Sequence, residues 1–184
     1  MVCTNVLAQV NVIKIEFPSE WISKSPKNVI TNRSNDKVVL TDSLIAEVEK
    51  GGNGQHLLYW YVAPKKVGAN YQPNIRVSVY KNTLADTLQM LEGVQNSLDK
   101  VKSTSSIFTV LEKPVIVNIN GWKAAYTVFS GAPIPPSSKF LVAERKVTFY
   151  LIRVSQYIYH VHFMDNETYD CSREFREVLE SMKF

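Results

Sequence analysis

Between Lys146 and Asp165 the chain carries two apolar alternations separated by Ser155-Gln156, a pair of residues suited to a tight reversal. Successive side chains of a strand point to opposite faces, so Val147, Phe149 and Leu151 share one face and Thr148, Tyr150 and Ile152 the other. In the second run Tyr157, Tyr159, Val161 and Phe163 fall together, opposite Ile158, His160, His162 and Met164. Large apolar groups occupy both faces of both strands. A sheet wetted on one side would place polar residues at every second position, so this hairpin is expected at the centre of a sheet covered on both sides, and helices must supply the cover.

Other stretches extend the same pattern. Ile13, Ile15 and Phe17 alternate with Lys14 and Glu16, a half-buried strand stopped by Pro18. Leu44, Ile45 and Val48 fall on one face of a short helix that Thr41 or Asp42 can cap and Gly51-Gly52 ends. Leu57 to Val62 and Asn74 to Tyr80 read as strands, joined by a long loop from Pro64 to Pro73. From Thr83 to Val101 the spacing predicts a helix with a capping-box-like start at Thr83 and Asp86 and one stripe formed by Leu84, Leu88, Leu91, Val94, Leu98 and Val101. Burying six such side chains against a sheet is worth on the order of 10 kcal/mol before conformational entropy is subtracted.

Val115 to Ile119 and Trp122 to Phe129 flank Asn120-Gly121, a strong short hairpin signal because both residues tolerate positive φ. Pro133, Pro135 and Pro136 hold the next connector extended and exposed, a candidate partner site. The chain closes on a helix within Asp170 to Phe184 that sets Cys171, Phe175, Val178, Leu179 and Met182 on one face.

Composition narrows the field without naming a chemistry. A chain of 184 residues with 45% apolar content suits one core, so residues 10–184 are expected to form a single domain. Residues 1–9, ending Val6-Leu7-Ala8-Gln9, read either as the residue of a secretory leader or as a frayed terminus. No apolar run reaches the roughly 20 residues that a membrane-spanning helix needs. The net charge of +4 is spread along the sequence, which argues against nucleic acid as a partner and leaves room for peripheral association with a membrane. Cys3 and Cys171 form no disulfide framework and have no metal-ligand spacing.

Several landmarks fall in one order: Phe17-Pro18 with Trp21 behind it, Asn74-Ile-Arg-Val-Ser-Val79 followed by a helix, and Ile119-Asn-Gly-Trp122 with Ala125-Tyr126. Tyr157-Ile-Tyr-His-Val-His162 and Phe175-Arg-Glu-Val-Leu-Glu-Ser181 complete the set. In this order the chain resembles the PsbP-like proteins, whose fold is shared with the Ran-binding Mog proteins and with DcrB-type bacterial envelope lipoproteins. The resemblance runs from about Val10 to the end and rests on structural landmarks, not reactive residues. It implies an α+β fold, a central antiparallel sheet flanked by helices as an α/β/α sandwich, and an accessory role without catalysis. The segment from Thr41 to Gly52 departs from the plant photosystem members, and no extended basic arm precedes the domain, so a bacterial envelope relative fits better.

Candidate chemistry is sparse. His160 and His162 point the same way from one strand and could give two ligands to zinc or copper, with Asp165 or His56 as further donors; packing beneath a helix is the competing reading. Gly-x-Ser-x-Gly and a phosphate-binding loop are both missing from the sequence. Tyr59, Trp60 and Tyr61 form an aromatic run with Trp60 on one face and the tyrosines on the other, either a stacking surface or core. The expectation is a non-enzymatic binding protein of the bacterial envelope, with no cofactor, that engages a protein partner or an apolar polypeptide segment. A small-molecule or metal-binding module and an intracellular relative that binds a small GTPase are the alternatives, the last requiring that Met1 be a true start. The leader reading places the protein outside the cytoplasm, and oligomeric state is left open.

Overall fold

The structure, a computed structural model, describes residues 12–25, 31–32, 37–39, 46–48, 55–66, 72–84, 86–105, 107–131, 145–166 and 169–184. In chain order the strands are β1 (Val12–Lys14), β2 (Ile22–Ser23), β3 (Thr31–Asn32), β4 (Lys37–Val39), β5 (His56–Val62) and β6 (Asn74–Lys81). Then come helix α1 (Thr87–Thr104), strands β7 (Thr109–Ile119), β8 (Trp122–Ser130), β9 (Arg145–Val154) and β10 (Tyr157–Asn166), and helix α2 (Ser172–Ser181). Residues 46–48 are also helical.

Seven strands form one sheet in the order β2-β5-β6-β10-β9-β8-β7, every adjacent pair antiparallel. β1, β4 and β3 make a smaller antiparallel sheet. The β9–β10 hairpin stands at the centre, with Tyr157 opposite Val154 and the turn made by Ser155 at φ 52°. The β7–β8 hairpin turns on Asn120 and Gly121, at φ 50° and 92°, the conformations that its sequence anticipates.

Each face of the large sheet carries a helix, because each face is apolar. Tyr159, Val161 and Phe163 of β10 and Ile75, Val77 and Val79 of β6 are buried against Phe175 and Val178 of α2, with Ile13 and Ile15 closing that core from the start of the domain. On the opposite face Phe149, Leu151 and Ile158 meet Met90, Val94 and Leu98 of α1. Beyond α2 the chain runs back along β1, where Lys14 and Lys183 exchange two backbone hydrogen bonds of 2.9 Å.

α1 departs from its sequence pattern in two ways. It begins at Thr87, not Thr83, because the carboxylate of Asp86 accepts the amide of Gln89 at 2.9 Å and so satisfies a donor of the first turn. Its buried line is Met90, Val94 and Leu98, four residues apart, while Leu88 is 62% exposed. Leu88 precedes Met90 by two positions, roughly 200° around the helix, so both cannot face the sheet.

The outer strand β7 is irregular, with register shifts between Val110 and Glu112 and between Glu112 and Val115, around Lys113 and Pro114. Most of the short helix expected from Thr41 to Gly52 lies outside the described residues, as do residues 1–9, the core of the Pro64–Pro73 loop, and Pro133, Pro135 and Pro136.

Candidate binding groove beneath the long helix

α1 lies over β7 and β8, one side of the sheet. The same sheet face continues through β9, β10 and β6, and between helix and strands it leaves a groove of about 700 Å³. Ligand sites commonly fall in the range of roughly 300–1,000 Å³. Val94, Leu98 and Val101 of α1 form one wall, and Val147, Phe149 and Leu151 of β9 form the floor. Gly93 and Ser97 also face it, and their small size keeps the helix wall back. A Cβ placed on Gly93 would meet no atom within 4 Å.

Polar groups gather at the β6 and β10 side and at the start of β9: Asn74, Arg76, His160, His162 and Arg145. Arg76 stands opposite His162 in the β6–β10 pair, and its guanidinium lies 4.7 Å from the ring of Trp60. That geometry is a cation–π contact.

The histidines are held by rings and one amide. His160 meets Tyr80 and Phe149 edge-on, at centroid distances of 4.7 and 5.3 Å, and lies 6.0 Å from His162. Its Nδ1 is 2.9 Å from Nε2 of Gln55, which also donates to the hydroxyl of Ser78. An amide donor at Nδ1 makes that nitrogen the acceptor and places the imidazole proton on Nε2. Nε2 is buried and has no hydrogen-bond partner among the described residues. Burial, and secondarily the neighbouring His162, push the pKa of His160 down to about 3. Burial and then the charge of Arg76 push His162 down to about 4. Both rings are therefore neutral near pH 7, able to donate or accept hydrogen bonds but carrying no charge.

The structure brings the histidines together but does not gather the further metal ligands suggested from sequence. Asp165 points to the opposite face, where its carboxylate accepts the amide of Cys171 at 3.4 Å. His56 pairs with Val79, whose side chain also belongs to the α2 core. Among the described residues no group of three or more His, Cys, Asp or Glu side chains is arranged to hold a metal ion.

Of the aromatic run, Tyr59 and Tyr61 are core residues, not an open surface. Tyr59 is fully buried, and Tyr61 stacks on Phe17 with centroids 3.9 Å apart and planes 6° from parallel. Trp60 faces the other way, beneath Arg76. Cys171 is buried, and desolvation pushes its thiol up to about 12, which removes thiolate chemistry near neutral pH. Sequence reading missed Arg76, Arg145 and Gly93. The available signal was the pair Gly93 and Ser97, two small residues one turn apart inside an otherwise apolar helical pattern.

No protein-family model and no characterised protein sequence matches the chain. Solved structures do match. One is a protein of Bacteroides thetaiotaomicron VPI-5482, with a TM-score of 0.51 and 12% identity over 93% of this chain and 44% of the other. Another is LpqN of Mycobacterium tuberculosis, described as involved in cell envelope biogenesis, with a TM-score of 0.52 and 13% identity over 93% of this chain and 82% of LpqN. The likeness is one of fold. This chain spans less than half the length of the Bacteroides protein. No helix among the described residues is long and apolar enough to cross a membrane.

Proposed function

We propose that this protein is a non-enzymatic accessory or binding protein of the bacterial cell envelope, built on a PsbP-like fold, and that it holds an apolar ligand in the groove beneath α1. The observation that carries the proposal is the groove itself. Protein interiors pack at the density of organic crystals and keep few voids larger than a water molecule. Beside that density, an open groove of about 700 Å³ walled by valine, leucine and phenylalanine leaves apolar surface facing water that an apolar ligand would cover. The envelope location is supported by the fold likeness to LpqN.

The groove favours holding over bond-making. Its two imidazoles are neutral at neutral pH, no carboxylate lines it among the described residues, and Cys171 belongs to the opposite face. An acid–base pair needs groups whose protonation states differ at the working pH, and these residues do not provide one.

The test is native mass spectrometry of the full chain after incubation with a bacterial envelope lipid extract. The parent protein is expected to retain a small apolar molecule, and a Gly93→Phe variant, whose new ring projects into the groove, is expected to lose it. A parent protein that emerges without any retained molecule would sink the proposal.

A further inference from the structure

Beside α2, on the sheet face opposite the groove, a pocket of about 200 Å³ lies over β8 and β9. At about 30 Å³ per water this is room for roughly seven waters, too little for a lipid chain and enough for a molecule of few heavy atoms. Its floor follows the strand register. Tyr126 pairs with Tyr150, their ring centroids 5.0 Å apart, and Val128 pairs with Thr148. Lys146, two residues beyond Thr148 on the same face of β9, closes one end, and Arg176 of α2 stands on the side away from β7.

Glu112 of β7 reaches this pocket out of turn. Val110 packs on the α1 side of the sheet with Phe129, its partner in β8. Strict alternation would send Glu112, two residues later, to that same face. The register shift between them instead sets Glu112 opposite Val128, and its Oε2 accepts the hydroxyl of Tyr126 at 2.9 Å. Irregularities of this kind re-aim side chains. Opposite charges therefore stand across the pocket, the Glu112 carboxylate beside the tyrosines and Arg176 and Lys146 away from them. None of the three belongs to an ion pair among the described residues. Asp165, level with Lys146, accepts the amide of Cys171, and Asp170 accepts the hydroxyl of Ser172; neither aspartate lines the pocket.

We infer that this pocket binds a small zwitterion of the α-amino-acid class, its ammonium on Glu112 beside the tyrosine rings and its carboxylate toward Arg176 and Lys146. A cation alone would face Arg176 and Lys146, and an anion alone would face Glu112. A molecule carrying both charges complements all three. The ammonium also gains from the rings of Tyr126 and Tyr150, and a guanidinium is a strong partner for a carboxylate. Glu112 and Arg176 are exposed at the rim, within reach of a solute. The site is separate from the groove and does not depend on the function proposed for it.

The experiment is a proton–nitrogen NMR titration of the full chain with L-alanine, with N-acetyl-L-alanine, which lacks the ammonium, and with L-alaninamide, which lacks the carboxylate. Alanine is expected to shift the amides of Glu112, Thr148 and Arg176 with a Kd on the order of 1 mM, and each analogue to bind about tenfold more weakly or worse. Glu112→Gln, which still accepts from Tyr126, is expected to weaken alanine about tenfold while strengthening N-acetylalanine. Arg176→Gln is expected to weaken alanine while strengthening alaninamide. A merely structural disturbance would weaken all three compounds together. Gly93→Phe, which fills the groove on the other face, is expected to leave alanine binding unchanged, so failure of the groove and failure of this site are read separately. Equal affinity for the three compounds in the parent overturns the paired-charge assignment, as does loss of all three in both charge variants. No shift at the three amides with alanine at about 10 mM, tenfold above the expected Kd, overturns the site itself.

Discussion

The side-chain amide of Asn120 donates to the backbone carbonyl of Met182 at 2.8 Å, tying the β7–β8 turn to the residues that end α2. The same nitrogen lies 3.1 Å from the carbonyl of Glu180 and 3.4 Å from that of Leu179. The last carbonyls of a helix lack intrahelical partners, so a side chain from a distant turn here does the work of a C-cap. Asn120→Ala removes this donor and places a Cβ residue without local hydrogen bonding at φ 50°. Loss of about 2–3 kcal/mol is expected from the two effects together. Asn120→Gly keeps the turn relaxed and should lose less. Urea unfolding of the three proteins checks the order, and equal stability of the alanine variant and the parent would refute it.

Gly131, at the end of β8, adopts φ 70° with its would-be Cβ 1.9 Å from the carbonyl oxygen of Ile107. The neighbour is backbone and cannot rotate away. Gly131→Ala is expected to cost about 3 kcal/mol or more, at the upper end of single-residue effects. Thermal unfolding of the variant beside the parent measures this.

Gly93 presents the opposite case. It lies inside α1 with open space where a side chain would stand. Gly93→Ala is expected to stabilise the protein by about 0.5–1 kcal/mol, since glycine loses more backbone freedom than alanine on entering a helix. For a chain of this size that corresponds to a rise of roughly 1–4 °C in Tm.

His160 and His162 give the fold an acid dependence of defined sign. Their folded-state values, about 3 and about 4, lie below the ordinary histidine value of 6.5. In that window the unfolded chain binds more protons than the folded one, so stability is fully present above about pH 6.5 and is lost as pH falls toward the folded-state values. Asp165 opposes this, because burial raises its carboxyl and favours the fold at low pH. The comparison is therefore between parent and His160→Gln/His162→Gln, by urea unfolding from pH 7.5 to 4.5. The variant should show the shallower decline, and parallel curves would contradict the assignment.

The central hairpin was legible in the sequence because both strands carry apolar residues on both faces, and no other arrangement hides Tyr159 and Phe149 at once. Its neighbours β5, β6, β7 and β8 were legible for similar reasons, and Asn120-Gly121 marked its turn. The helix register was harder. Val94 and Leu98 of the stripe read from the sequence are buried, with Leu84 and Val101 packed beside them, but Met90 takes the place that the spacing gave to Leu88, and the first turn starts at Thr87 because Asp86 caps it. The groove was not legible. It arises from the sideways placement of α1 over β7 and β8, a tertiary offset that leaves no period in the sequence. Alternation alone, followed one residue further along β10, sets Asp165 with Phe163 on the face away from His160 and His162; what spacing did not give was its partner there, the amide of Cys171.

The broken register of β7 bears on how molecules of this protein meet one another. An unpaired outer strand with a continuous run of free amides and carbonyls can template the addition of a further chain, and repeated addition builds fibres. Here Pro114 lacks an amide hydrogen, Lys113 adds charge, and two shifts interrupt the run within a few residues. Leu111 and Val115 can stay exposed on such a rim without inviting polymerisation.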